Sequence, residues 1–95
     1  MDDDDAAALI LSSVKVNNRA ALVSVFTDRL VIVDSSGTRK IPISSLARIT
    51  HKSGLRSGRL GIVTVDGEEL TIRGLRAADT PAAYQIVVRL AMAAR

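Results

Sequence analysis

The sequence contains no cysteine and no tryptophan, and only one histidine, one tyrosine and one phenylalanine in 95 residues. The missing thiols exclude a disulfide-framed mini-protein, a cysteine-based zinc finger and a thiol enzyme. His51 has no second histidine and no cysteine with which to build a metal site or a Ser–His or Cys–His nucleophile pair. Phe26 and Tyr84 both lie in apolar stretches, so the stacking platforms used by single-strand nucleic-acid binders are lacking. No apolar run reaches the roughly 18 residues of a membrane-spanning helix. The apolar residues near the start follow four acids. That is the wrong sign for a secretory leader, and mitochondrial transit peptides are poor in acids. The expected location is cytoplasmic, free or peripheral at a membrane.

What is present is a chain 47% hydrophobic and long enough for one domain and one core. The formal net charge of +3 conceals an uneven distribution. Four of the ten acids are Asp2, Asp3, Asp4 and Asp5, so the other six face all 13 cations, a net +7. Residues 1–8 read as an acidic, solvated tail, and residues 9–95 as a single domain.

The body reads as seven short strands and one helix. Strands are expected at residues 9–16, 20–26, 29–33, 38–43, 46–52, 59–65 and 68–73, each bounded by turn residues. Asn17 and Asn18 tolerate the positive φ of a tight hairpin, and Asp66-Gly67 reads as a two-residue hairpin link. Pro42 cannot donate to a ladder, so its strand is at an edge or leaves the sheet there. Alternation sets Ala47 and Ile49 on one face of the fifth strand, and Arg48, Thr50 and Lys52 on the other. Residues 74–79 read as connecting loop. From Thr80 the period changes. Thr80 is expected as N-cap and Pro81 as the first helical residue, with Ala83, Ile86, Val87, Leu90, Ala91 and Ala94 forming a helical stripe over about 80–94. Arg89 and Arg95 suit the negative C-terminal end of the dipole.

Seven consecutive strands with short links imply antiparallel pairing, and so wide a sheet folds over. The expected fold is mainly β: two near-orthogonal sheets capped by the C-terminal helix. The run Val25-Phe26-Thr27-Asp28-Arg29-Leu30-Val31-Ile32-Val33-Asp34 resembles a hairpin of bacterial PH-like domains. Arg39-Lys40-Ile41-Pro42-Ile43-Ser44-Ser45-Leu46-Ala47-Arg48-Ile49 and Leu60-Gly61-Ile62-Val63-Thr64-Val65-Asp66-Gly67 are similar to later segments of the same family, in the same order. The resemblance spans roughly residues 9–95 and implies the pleckstrin-homology superfold. With no tryptophan in the terminal helix, it is to the bacterial PH-like or GRAM-like branches.

Residues 39–59 carry Arg39, Lys40, Arg48, Lys52, Arg56 and Arg59, with His51 and not one acid. Lys15 and Arg19 flank the first hairpin. These eight cations are the candidate anion- or partner-binding residues. No catalytic set accompanies them. Asp66, Glu68 and Glu69 surround a turn, the serine pairs lack a base, and Gly54-x-x-x-Gly58 lacks the Gly-Lys-Ser/Thr of a phosphate loop. No cofactor, metal or small-molecule substrate is expected. The expected function is a non-catalytic binding or scaffolding module, acting through protein contacts or at an anionic surface such as lipid headgroups. A small basic nucleic-acid-binding barrel is the alternative. Apolar residues 9–11 and 91–94 add the prospect of self-association or strand addition by a protein partner.

Overall fold

The computed structural model describes residues 6–94. The acidic run at 2–5 and Arg95 lie outside the described residues. Seven strands and a helix follow in order: β1 (Leu9–Val16), β2 (Arg19–Val25), β3 (Arg29–Asp34), β4 (Gly37–Pro42), β5 (Leu46–Ser53), β6 (Ser57–Thr64), β7 (Glu69–Arg76) and α1 (Thr80–Ala93). Short 3-10 turns at Ile43–Ser45 and Ala77–Asp79 join β4 to β5 and β7 to α1.

All seven strands belong to one antiparallel sheet in the order β4-β3-β2-β1-β7-β6-β5. The strands at its two ends, β4 and β5, are neighbours in the chain, so the sheet curls into a half-barrel. β1 holds its two halves together, pairing with β2 along its length and with β7 only at Lys15 and Val16. Across the open side, the Val65 amide donates to the Ser45 carbonyl at 2.8 Å and the Ile43 amide to the Asp28 carbonyl at 3.0 Å. The Arg39 guanidinium, from β4, pairs with the Glu68 carboxylate beside β7.

The period-2 pattern sets what the sheet encloses. Val14 and Val16, Val23 and Val25, Leu30 and Ile32, Leu60 and Ile62, and Leu70 and Ile72 point inward and are buried. α1 closes the core by packing on β5 and β6. It presents buried Ala83, Val87 and Ala91, one turn apart, and the small alanines let it approach closely.

Several local expectations are corrected. Thr80 is the first helical residue, not the cap. Asp79 precedes it without a side-chain capping bond, and the Thr80 hydroxyl donates back to the Arg76 carbonyl at 2.8 Å. Ala94 ends the helix exposed and does not extend the buried stripe. Residues 74–76 are strand: β7 continues through a bulge at Gly74, whose φ is +92°. The β6–β7 link comprises residues 65–68, because the Thr64 hydroxyl and the Asp66 carboxylate bond each other and the Glu68 amide donates to Thr64 Oγ1. That side-chain bond holds the Asp66 carboxyl below the usual carboxylate range. The expected Asn17-Asn18 turn is observed, with φ of 50° and 70°.

The helix start is seated on a glycine. A Cβ at Gly58 would lie 2.0 Å from Thr80 Oγ1, and Thr80 is fully buried. Gly58→Ala is expected to destabilise the fold by about 1–3 kcal/mol, the usual cost of overpacking. Urea denaturation checks this, and an unchanged midpoint would show that the helix start can move away at no cost.

Candidate anion-binding face

The outward positions of β5, β6, β7 and the end of β1 are set by the buried residues beside them. Arg59 precedes buried Leu60, Arg73 follows buried Ile72, and Lys15 lies between buried Val14 and Val16. Lys52 shares the outer face because it is in register with Arg59. The pairing is Lys52 to Arg59, Arg59 to Arg73, and Arg73 to Lys15. Four cations from four adjacent strands therefore form one cross-strand row. At about 4.8 Å between strands, the row is roughly 14 Å long.

Among the described residues no acid pairs with it: the ion pairs there are Arg29 with Asp28 and Arg39 with Glu68, both away from the row. On one side the adjacent outer positions are Thr50, Gly61 and Thr71, in register with one another. Arg48, Val63 and Glu69 follow in the next row. On the other side lie Ser57 and Arg76, paired beyond the Gly74 bulge. Lys52, Arg59 and Arg73 there border an open hollow of about 270 Å³ whose other lining residues are Gly54, Ser57, Gly58 and Gly74. At the tip of the β5–β6 turn, Leu55 is wholly exposed beside exposed Arg56.

The eight candidates thus separate. Lys15, Lys52 and Arg59 join the row, Arg48 shares its face and Arg56 sits at the adjoining turn. Arg59 is a residue of β6, as the expected strand at 59–65 has it. Arg19 and Arg39 lie elsewhere, lining a cavity of about 380 Å³ at the open end of the half-barrel, with Asp34 and Ser36. There Arg19 donates to Ser36 Oγ at 3.0 Å, and the Ser36 amide and hydroxyl donate to Asp34 Oδ1 at 2.8 and 2.6 Å. These Ser36 bonds hold the Asp34 carboxyl below its ordinary range. The Glu68 carboxylate raises the Arg39 pKa. Both open-end cations are therefore engaged within the protein. Lys40 is exposed on β4, opposite Val31.

Arg73 and Arg76 are absent from the sequence-derived set. A two-residue Asp66-Gly67 turn would place Arg59 opposite Gly74, whereas the actual turn places it opposite Arg73. The aromatics lie off this face. His51 and Tyr84 stack at 4.2 Å between β5 and α1, and the Arg29 guanidinium covers the Phe26 ring at 4.1 Å. Among the described residues no group of three histidine or acidic side chains converges on a metal position, and no helix is long and apolar enough to cross a membrane. No family model and no curated protein matches the chain.

Like charges directly opposite each other destabilise a sheet. Arg73→Gln keeps most of the aliphatic stem and removes the central charge, so it is expected to stabilise the fold at low salt by about 0.2–1 kcal/mol. The gain should shrink at high salt, where exposed charges are screened. Denaturant titrations at two ionic strengths measure both effects, and a loss of stability at low salt would show that the row is not under electrostatic strain.

Proposed function

We propose that this chain is a non-catalytic PH-like binding module whose working surface is the outer face of the β5–β6–β7–β1 sheet. The observation that carries the proposal is the uncompensated row of Lys15, Arg73, Arg59 and Lys52. Such an arrangement opposes folding, and it suits the binding of negative charge. The PH-like assignment draws support from the motif resemblance, the strand order and the terminal helix packed on β5 and β6. Two packed sheets, β1–β4 and β5–β7 meeting at the short β1–β7 ladder, would complete that architecture.

The partner favoured by this face is an anionic surface, with lipid headgroups the first choice and a peripheral cytoplasmic location the consequence. Basic residues near an anionic bilayer contribute about 1 kcal/mol each, so four give roughly millimolar binding that weakens with salt. A nucleic acid finds the charges it needs but no exposed ring on this face. Protein contact is a second reading, favoured by exposed Leu22 and Val33, in register on the outer face of β2 and β3, and by exposed Ile10 on β1. Sedimentation across a concentration series reports on self-association there.

The test is a titration with phosphatidylglycerol vesicles and with duplex DNA at low and high salt. Replacing both Arg59 and Arg73 by Glu is expected to abolish low-salt vesicle binding, while Arg19→Glu with Lys40→Glu, an equal change in net charge, leaves most of it. Equal losses in the two double variants would reduce the effect to net charge, and retained binding by the first would remove the face from consideration.

A further inference from the structure

Resting on the anionic-partner reading above, we infer that the hollow beside the row is a site for a phosphate monoester. Lys52, Arg59 and Arg73 border it from three adjacent strands, and no acid lines it. A guanidinium presents a planar fork of donors that matches phosphate oxygens in pairs, and an ammonium adds a compact charge. The exposed Ser57 supplies a hydroxyl donor at the rim.

Charge and oxygen count select the ligand class. A carboxylate brings one charge and two acceptor oxygens, and a phosphodiester brings one charge. A monoester carries about −1.5 to −2 near neutrality and three acceptor oxygens, which answers three cations and a hydroxyl. At about 270 Å³ the hollow has room for the phosphate and part of the molecule it esterifies.

Gly54, Gly58 and Gly74 line the hollow beside the three cations. Gly74 is the extra residue of the bulge, between Arg73 opposite Arg59 and Leu75 opposite Gly58. The bulge also leaves Arg76 on the same side, opposite Ser57. The hollow is separate from the open-end cavity, where Arg19 and Arg39 already have internal partners. The phosphate has two sources, a free phosphorylated molecule or a lipid headgroup. Leu55, exposed at the turn next to the hollow, distinguishes them, because only a bilayer gives it an apolar environment.

The test is an NMR titration of the whole chain with inorganic phosphate at low salt. Shifts are expected at the amides of Gly54, Ser57, Gly58 and Gly74. Arg59→Gln and Arg73→Gln should each weaken binding about tenfold or more, as loss of a charge-assisted bond does. Binding should also weaken from about pH 7.5 to about pH 5, as inorganic phosphate takes up a proton across neutrality and loses its second charge. Dimethyl phosphate should bind at least about tenfold more weakly, having one charge and only two free oxygens. Equal affinity for dimethyl phosphate, shifts confined to other residues, or unaltered affinity in Arg73→Gln would each overturn the site. If phosphatidylglycerol binding depends on the row while phosphate leaves the hollow unshifted, the face stands and this site falls. If both fail, both fall. Two further arms assign the source once phosphate binds the hollow. Vesicle capture dependent on phosphatidic acid and lost in Leu55→Asp, with phosphate affinity unchanged, supports a lipid headgroup. Shifts with glycerol 3-phosphate and no capture by those vesicles support a free monoester.

Discussion

The ladder between β1 and β7 has only two residue pairs, continued by the Asn17 bonds to Thr71 and Glu69, and the architecture turns on it. Lys15 and Val16 face Arg73 and Ile72, joining the four strands of the first half to the three of the second. Without it the sheet would have two further free edges, and the curled interior that α1 closes would open. β1 meets this demand by bending. Its register slips between Leu11 and Val14, with Ser13 at a φ of 58°, so the strand runs flat on β2 and then turns onto β7. Such local twist is what a bulge supplies. The same contact buries Val16 inward and leaves Lys15 outward at the end of the cation row.

Two opposing tendencies therefore share one piece of backbone. On the inside, Val14, Val16, Ile72 and Leu60 leave water together, each contributing on the order of 1.5–3 kcal/mol. On the outside, four like charges stand at strand spacing, at a cost of some tenths to 1 kcal/mol per opposed pair. The inner term dominates, so the sheet can hold a charge arrangement that would not form by itself. Where folding gains from a charge, the structure pairs it, as Arg39 with Glu68 across the open side. The contrast between paired and unpaired cations separates those engaged within the fold from those left on its outer face.

Much of this was legible in the sequence. The extent of β1, the Asn17-Asn18 turn, the edge position of the Pro42 strand and the α1 stripe all follow from local chemistry. Lys52 and Arg59 belong to one hairpin, so their proximity was within reach. Arg73 was missed because it lies outside the acid-free stretch at 39–59, and its place opposite Arg59 depends on the length of the next turn. Asp66-Gly67 signals a tight link, but the Thr64 hydroxyl bonding Asp66 and the Glu68 amide lengthens it. Because side chains alternate with period two, that slip exchanges Arg73 for Gly74 opposite Arg59. Lys15 beside Arg73 was out of reach, since no local pattern specifies a pairing between the first strand and the last. The acid-free stretch at 39–59 was likewise misleading in one respect: folding brings Glu68 to Arg39 from outside it.

The seat of the helix on Gly58 has a consequence for how the outer face can change over time. Elsewhere the sheet separates its two tasks, with inward positions answering to packing and outward ones free to vary, so Lys52, Arg59 and Arg73 could be exchanged without disturbing the interior. Gly58 answers to both. It lines the hollow, and it leaves room for Thr80 beneath. Any substitution there that reshaped the hollow would also displace the start of α1. Variation of the outer face is thereby channelled into the side chains around the hollow, while the Gly58 position stays fixed.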